Sequence, residues 1–119
     1  MSSKSLTPSI VKKYIPPRNL NSRKGDNGKV LVVGGSYMYH GAPILSSLAA
    51  LRAGADLVYT AVPKVNAQAS RAISPDLIVI PLADSKLTRG SVNKLLGQIP
   101  VGIDSAAIGM GLAVENIEA

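Results

Sequence analysis

Four short apolar runs, separated by segments of helical character, constrain this chain more than any other feature of its sequence. The runs are Val30-Leu31-Val32-Val33, Leu57 to Val62, Leu77-Ile78-Val79-Ile80 and Ile103 to Ile108. They are continuous rather than alternating, as expected of strands buried on both faces of a parallel sheet. Between them, Pro43 to Arg52 carries Ile44, Leu45, Leu48 and Leu51 at helical spacing, with Gly54 as the stop. Residues 64–73 and Ser91 to Leu96 are further helical segments. Upstream, Thr7-Pro8 opens a short helix to Tyr14, Thr as cap and Pro at the first helical position. Val114 to Glu118 would begin one more. Strand and helix therefore alternate, which predicts right-handed crossovers and a three-layer α/β/α fold with a mostly parallel sheet.

The chain has 119 residues, enough for one domain with one modest core. It contains no Phe, Trp or Cys, so the core is expected to be aliphatic, with neither disulfides nor thiolate metal sites. No apolar run approaches the roughly 20 residues needed to span a bilayer. The start, MSSKSLTPS, lacks the apolar middle of a signal peptide. These features lead to the expectation of a cytoplasmic protein without a membrane partner.

Charge is unevenly placed. Residues 1–29 hold seven bases against the single acid Asp26, whereas residues 30–119 hold six of each, so the whole excess of +6 precedes the first strand. Residues 1–28 thus read as a basic arm and 29–119 as the α/β body. The arm is either a solvated charge run or an electropositive rim that attracts an anion. No recognisable nucleic-acid-binding motif is legible among the bases, so no nucleic-acid partner is expected.

Ligands of parallel sheets bind beyond the carboxyl ends of the strands. Both glycine clusters, Gly34-Gly35 and Gly109-Met110-Gly111, fall at such ends. Neither is a G-x-G-x-x-G fingerprint or a phosphate loop ending in G-K-[ST]. Two readings of GGSYMYHGAP stand side by side. One is a tight strand-to-helix turn. The other is a ligand cradle, with bare backbone at Gly34 and Gly35 and a helix N-terminus at Ala42-Pro43. Lys24-Gly25-Asp26 is either a solvated turn or a cation and anion at the same rim. His40 stands alone in a loop, without a base partner. Tyr37 and Tyr39 either stack on a ring or cover the loop. Asp104 either pins a loop or faces a ligand. No pair of carboxylates is spaced for acid–base work, and no metal-ligand cluster is legible.

Four segments, taken in order, resemble one family. SRKGDNGKVLVVGGS, YHGAP, AALRAGADLVYTAVP and DSAAIGMGL, over residues 20–112, are similar to the ATP/ADP-dependent NAD(P)H-hydrate dehydratases. These are ribokinase-like proteins often labelled carbohydrate kinases. The resemblance implies nucleotide repair: dehydration of NAD(P)H hydrate to NAD(P)H, driven by ATP or ADP with Mg²⁺, in a homo-oligomer. It implies that Gly34, Gly35, Ser36, Ala42, Gly109 and Gly111 line the substrate crevice, Ala42 and Gly111 at positions that contact the hydrate, and that Lys24 contacts an anion.

The family usually has Ser-His-Lys-Gly where this chain has Ser22-Arg23-Lys24-Gly25, and Gly-Pro-Gly-Leu-Gly where this chain has Gly109-Met110-Gly111-Leu112-Ala113. The family's nucleotide site and its catalytic Asp, in a Gly-x-Gly-Asp segment, match nothing here. The chain is thus expected to be the N-terminal, substrate-binding part of an incomplete ribokinase-like domain, without catalytic residues of its own. The alternatives are a ribokinase-like kinase of a sugar or vitamin precursor, and a non-catalytic binding or assembly fragment.

Overall fold

The computed structural model describes residues 3–113. The helix expected over Val114 to Glu118 lies outside them. The described elements are α1 (Pro8–Tyr14), β1 (Lys29–Val33), α2 (Gly41–Ala53), β2 (Leu57–Pro63), α3 (Lys64–Ile73), β3 (Leu77–Leu82), α4 (Arg89–Leu96) and β4 (Ser105–Ile108). The four strands form one sheet in the order β3-β2-β1-β4, and every pairing is parallel.

Given this strand order, helix placement follows from one rule of handedness. The steps β1 to β2 and β2 to β3 run in the same direction across the sheet. Right-handed crossovers therefore put α2 and α3 on the same face. The step from β3 back past β1 to β4 runs the other way, so α4 covers the opposite face. The core divides accordingly. Leu31, Val33, Ala61, Ile80 and Leu82 point to the side of α4, where Leu95 meets them. Val32, Val58 and Leu77 point to the side of α2, where Ala50 and Leu51 pack. Alternate residues of β1 thus serve opposite cores, which is why its apolar run is unbroken.

The core is aliphatic as expected, but its α2 side carries a polar seam. Ser47 and Thr60 are both fully buried, with their hydroxyls 2.8 Å apart. The Ser47 hydroxyl donates to the Pro43 carbonyl at 2.8 Å, so Thr60 donates to Ser47. Buried hydroxyls are tolerated when paired in this way. Leu45 departs from the expected apolar stripe of α2 and is 69% exposed, while Ile44 enters the core. The last strand begins at Ser105 rather than Ile103. Asp104, just before it, exchanges two bonds with Lys29, its N–H donating to the Lys29 carbonyl at 2.9 Å and its carboxylate accepting from the Lys29 N–H at 2.8 Å.

Helix α1 starts as its sequence dictates, Thr7 accepting from the Ile10 N–H and Pro8 opening the first turn. It buries no residue. Downstream of it, the arm is tied to the body through Asp56, which sits between α2 and β2. That carboxylate accepts from the N–H groups of Gly25 and Asn27, both at 2.9 Å, from the Asn27 amide, and from the Arg18 guanidinium.

Candidate functional site

β1 is the pivot of the sheet. The chain leaves it toward β2 on one side and comes back on the other with β4. At such a switch point the loops of adjacent strands run to opposite faces, and the gap between them is where open parallel sheets hold ligands. Both glycine loops of the sequence meet in this gap. The Gly34 N–H donates to the Ala61 carbonyl at 3.1 Å, and the Gly109 N–H donates to the Val33 carbonyl at 3.1 Å. One residue further, the Gly35 N–H donates to the Met110 carbonyl at 2.8 Å. The backbone is therefore stitched together beyond the last residues of the strands.

Two of these glycines are required by space. A methyl group at Gly34 would stand 2.4 Å from the Met110 carbonyl oxygen. At Gly111, with φ of +69°, it would stand 2.8 Å from the Tyr39 carbonyl oxygen and 3.6 Å from the Ala42 Cβ. Any side chain at either position would force the loops apart. The fold thus brings Gly34, Gly35, Ala42, Gly109 and Gly111 to one edge of the sheet.

Ser36 joins them but spends its polar groups on the turn. It is 4% exposed, and its hydroxyl accepts from the Tyr39 N–H at 3.2 Å. Its own N–H donates to the Tyr39 carbonyl at 3.3 Å. Its carbonyl accepts from the Asn66 amide at 2.8 Å. Asn66, on the first turn of α3 and 5% exposed, was not legible as a site residue: a lone polar residue in a weak helix carries no local signal. Helix α2 begins at Gly41, and His40 before it makes no side-chain cap. The first turn of α2, Gly41 to Pro43, lies beside Gly111 and starts without that capping partner.

Lys24 lies elsewhere. It is exposed at the amino edge of the sheet, beside Gly25 on the Asp56 hub. The five residues of β1, about 16 Å at 3.3 Å per residue, separate it from the glycine loops. Asp26 and Asp104 stay at that same amino edge, Asp26 accepting from the Arg23 N–H at 2.7 Å. Asp84 accepts from the Thr88 hydroxyl at 2.6 Å. These carboxylates are committed to local structure. Among the described residues no three His, Cys, Asp or Glu side chains stand together. The Asp56 carboxyl is held below the usual carboxylate range. The Asn27 N–H is the leading cause, burial opposes it, and the Asn27 amide, the Gly25 N–H and Arg18 add to it.

A parallel sheet with paired glycine loops at its switch point is shared by several α/β folds, and comparison with solved structures places this one among the ribokinase-like α/β proteins. A solved ribokinase-like superfamily protein of Enterococcus faecalis V583 (EF1790) superposes with a TM-score of 0.73 at 26% identity, covering 92% of this chain and 36% of that one. The hypothetical protein SMU.573 of Streptococcus mutans superposes at 0.74 with 35% identity, covering 93% and 37%. Within that class the chain belongs to the NAD(P)H-hydrate dehydratase family, whose pattern residues 30–118 match. It is 67% identical over 116 residues to the ADP-dependent (S)-NAD(P)H-hydrate dehydratase of Nitrosopumilus maritimus (strain SCM1), which covers 98% of this chain. The chain spans about 40% of that relative's length.

Proposed function

We propose that the whole protein returns hydrated NADH or NADPH to the reduced dinucleotide, driven by ADP or ATP with Mg²⁺, and that this chain supplies the part that holds the hydrate. The observation that carries this reading is the convergence of Gly34, Gly35, Ala42, Gly109 and Gly111 at the switch point, in a chain of this family. The glycines let the two loops close on each other, their own N–H groups being spent on Ala61, Met110 and Val33, and a phosphorylated ligand would lie against the positive end of α2 beside them. Lys24 has no part in it, because it stands at the opposite edge. The Nitrosopumilus relative is an ADP-dependent dehydratase, which favours ADP over ATP here. Chemistry on the hydroxyl and the nucleotide phosphates belongs to groups outside the described residues. A cytoplasmic homo-oligomer is part of the same proposal; no described helix is long and apolar enough to cross a membrane.

The test is recovery of the near-ultraviolet band of reduced nicotinamide. Whole protein is incubated with NADH hydrate or NADPH hydrate, Mg²⁺, and ADP or ATP. Recovery with at least one combination is expected, and none with any would sink the reading. A panel of sugars and vitamin precursors in the same nucleotide-consumption assay separates dehydration from small-molecule phosphorylation.

A further inference from the structure

The turn from Ser36 to Tyr39 holds large side chains in the open beside the crevice. Tyr37, Met38 and Tyr39 are 78%, 72% and 62% exposed. The chain has four tyrosines and no Phe or Trp, so half its aromatic rings stand on this one turn. The turn is not loose. Ser36 and Tyr39 exchange two hydrogen bonds, and Asn66 clamps the Ser36 carbonyl from α3. Tyr39 is set closest to the glycines. A methyl on Gly111 would stand 3.1 Å from its Cβ as well as 2.8 Å from its carbonyl oxygen. Its stem is thus fixed against the crevice while its ring remains in solvent.

We propose that Tyr39 is a ring-stacking residue of the crevice, its exposed face receiving a flat heterocycle of the bound dinucleotide. The proposal rests on the function given above and deepens it. A fixed stem with a free ring loses little conformational freedom on binding, and a tyrosine face accepts any planar base. Stacking of this kind is lost on replacement by Ala and retained by Phe, since the hydroxyl takes no part. Of the dinucleotide's two rings, adenine is flat and aromatic, whereas the pyridine-derived ring carries saturated carbons in the hydrate and flattens only in the product, so adenine is the better stacking partner.

The experiment measures dissociation constants of whole protein for NADH hydrate, ADP-ribose (adenine only) and reduced nicotinamide mononucleotide (pyridine ring only). Tyr39→Ala is expected to weaken the hydrate and one of the two half-ligands about tenfold, leaving the other unchanged, with Tyr39→Phe at wild-type affinity. The half-ligand affected names the ring. Unchanged affinities overturn the proposal, and if Tyr39→Ala instead alters oligomer size, the turn is a contact between copies. Equal weakening of both half-ligands also overturns it, because collapse of the turn would do that. Failure of the unmutated protein to bind the hydrate is a separate result: it removes the underlying reading, and the stacking role with it.

Discussion

The N–H of Gly35 donates to the carbonyl of Met110 across 2.8 Å, joining the loop after β1 to the loop after β4. The two residues are 75 positions apart, and nothing local to either predicts the bond. It closes the crevice floor between the two loops, which also meet where Gly111 lies against Tyr39 and Ala42. Every contact attributed to a ligand above depends on this closure.

That closure requires Gly34 to remain without a side chain. Gly34→Ala forces a methyl onto the Met110 carbonyl and should cost about 1–3 kcal/mol of stability, as overpacking does. Gly41→Ala is the control, since nothing lies within 4 Å of a methyl there. Denaturant unfolding of the two variants should show a loss for the first and little change for the second.

Asn66 is the positioning residue of the Ser36 turn. Asn66→Ala removes the partner of a buried carbonyl and should destabilise by about 1–3 kcal/mol. Because the turn carries Tyr39, hydrate affinity should fall as well, and proteolysis between Ser36 and His40 should become faster. Unchanged cleavage there would show that the turn is held by its own two hydrogen bonds.

Ala42 faces Gly111 at the start of α2. Ala42→Glu should leave the fold intact, because the residue is only half-buried, yet weaken hydrate binding by steric block and repulsion of phosphate. Calorimetric titration on a variant with wild-type circular dichroism reads this directly. Wild-type affinity would reduce the loop to a connection.

Asp56 makes the arm's anchorage sensitive to acid. Its folded carboxyl holds its proton less tightly than in the unfolded chain, so between the two values the unfolded state binds more protons. The stabilisation is complete above the ordinary carboxylate range and is lost as pH falls below it, through the folded value. Asp56→Asn should flatten that part of the pH profile. Arg18→Ala should change it little, because Arg18 is the smallest cause and 58% exposed. Unfolding followed from neutral pH to pH 3 checks both.

The free side of β4 should drive association of the 119-residue chain. Among the described residues β4 pairs with β1 alone, and Ile108 is 63% exposed at its end. An unpaired parallel edge with apolar side chains is a template for another strand. Sedimentation should find species larger than a monomer, reduced by Ala106→Lys on the exposed strand.

The sequence by itself determined the elements and their order. Continuous apolar runs, Gly54 as a helix stop and Thr7-Pro8 as a helix start are local signals. They placed β1 over Lys29–Val33 and α1 over Pro8–Tyr14 as observed. The glycine positions and the family were legible for the same reason, since they are strings of adjacent residues. Only the tertiary structure decided that β1 lies between β2 and β4, which turns two separate glycine loops into one crevice and leaves Lys24 at the far edge. It alone revealed Asn66, the Ser47–Thr60 pair and the Asp56 hub, and it put Leu45 in solvent. Period and punctuation depend on neighbours along the chain. Strand order, and the partner a buried polar group finds, depend on which distant segments the crossovers bring together.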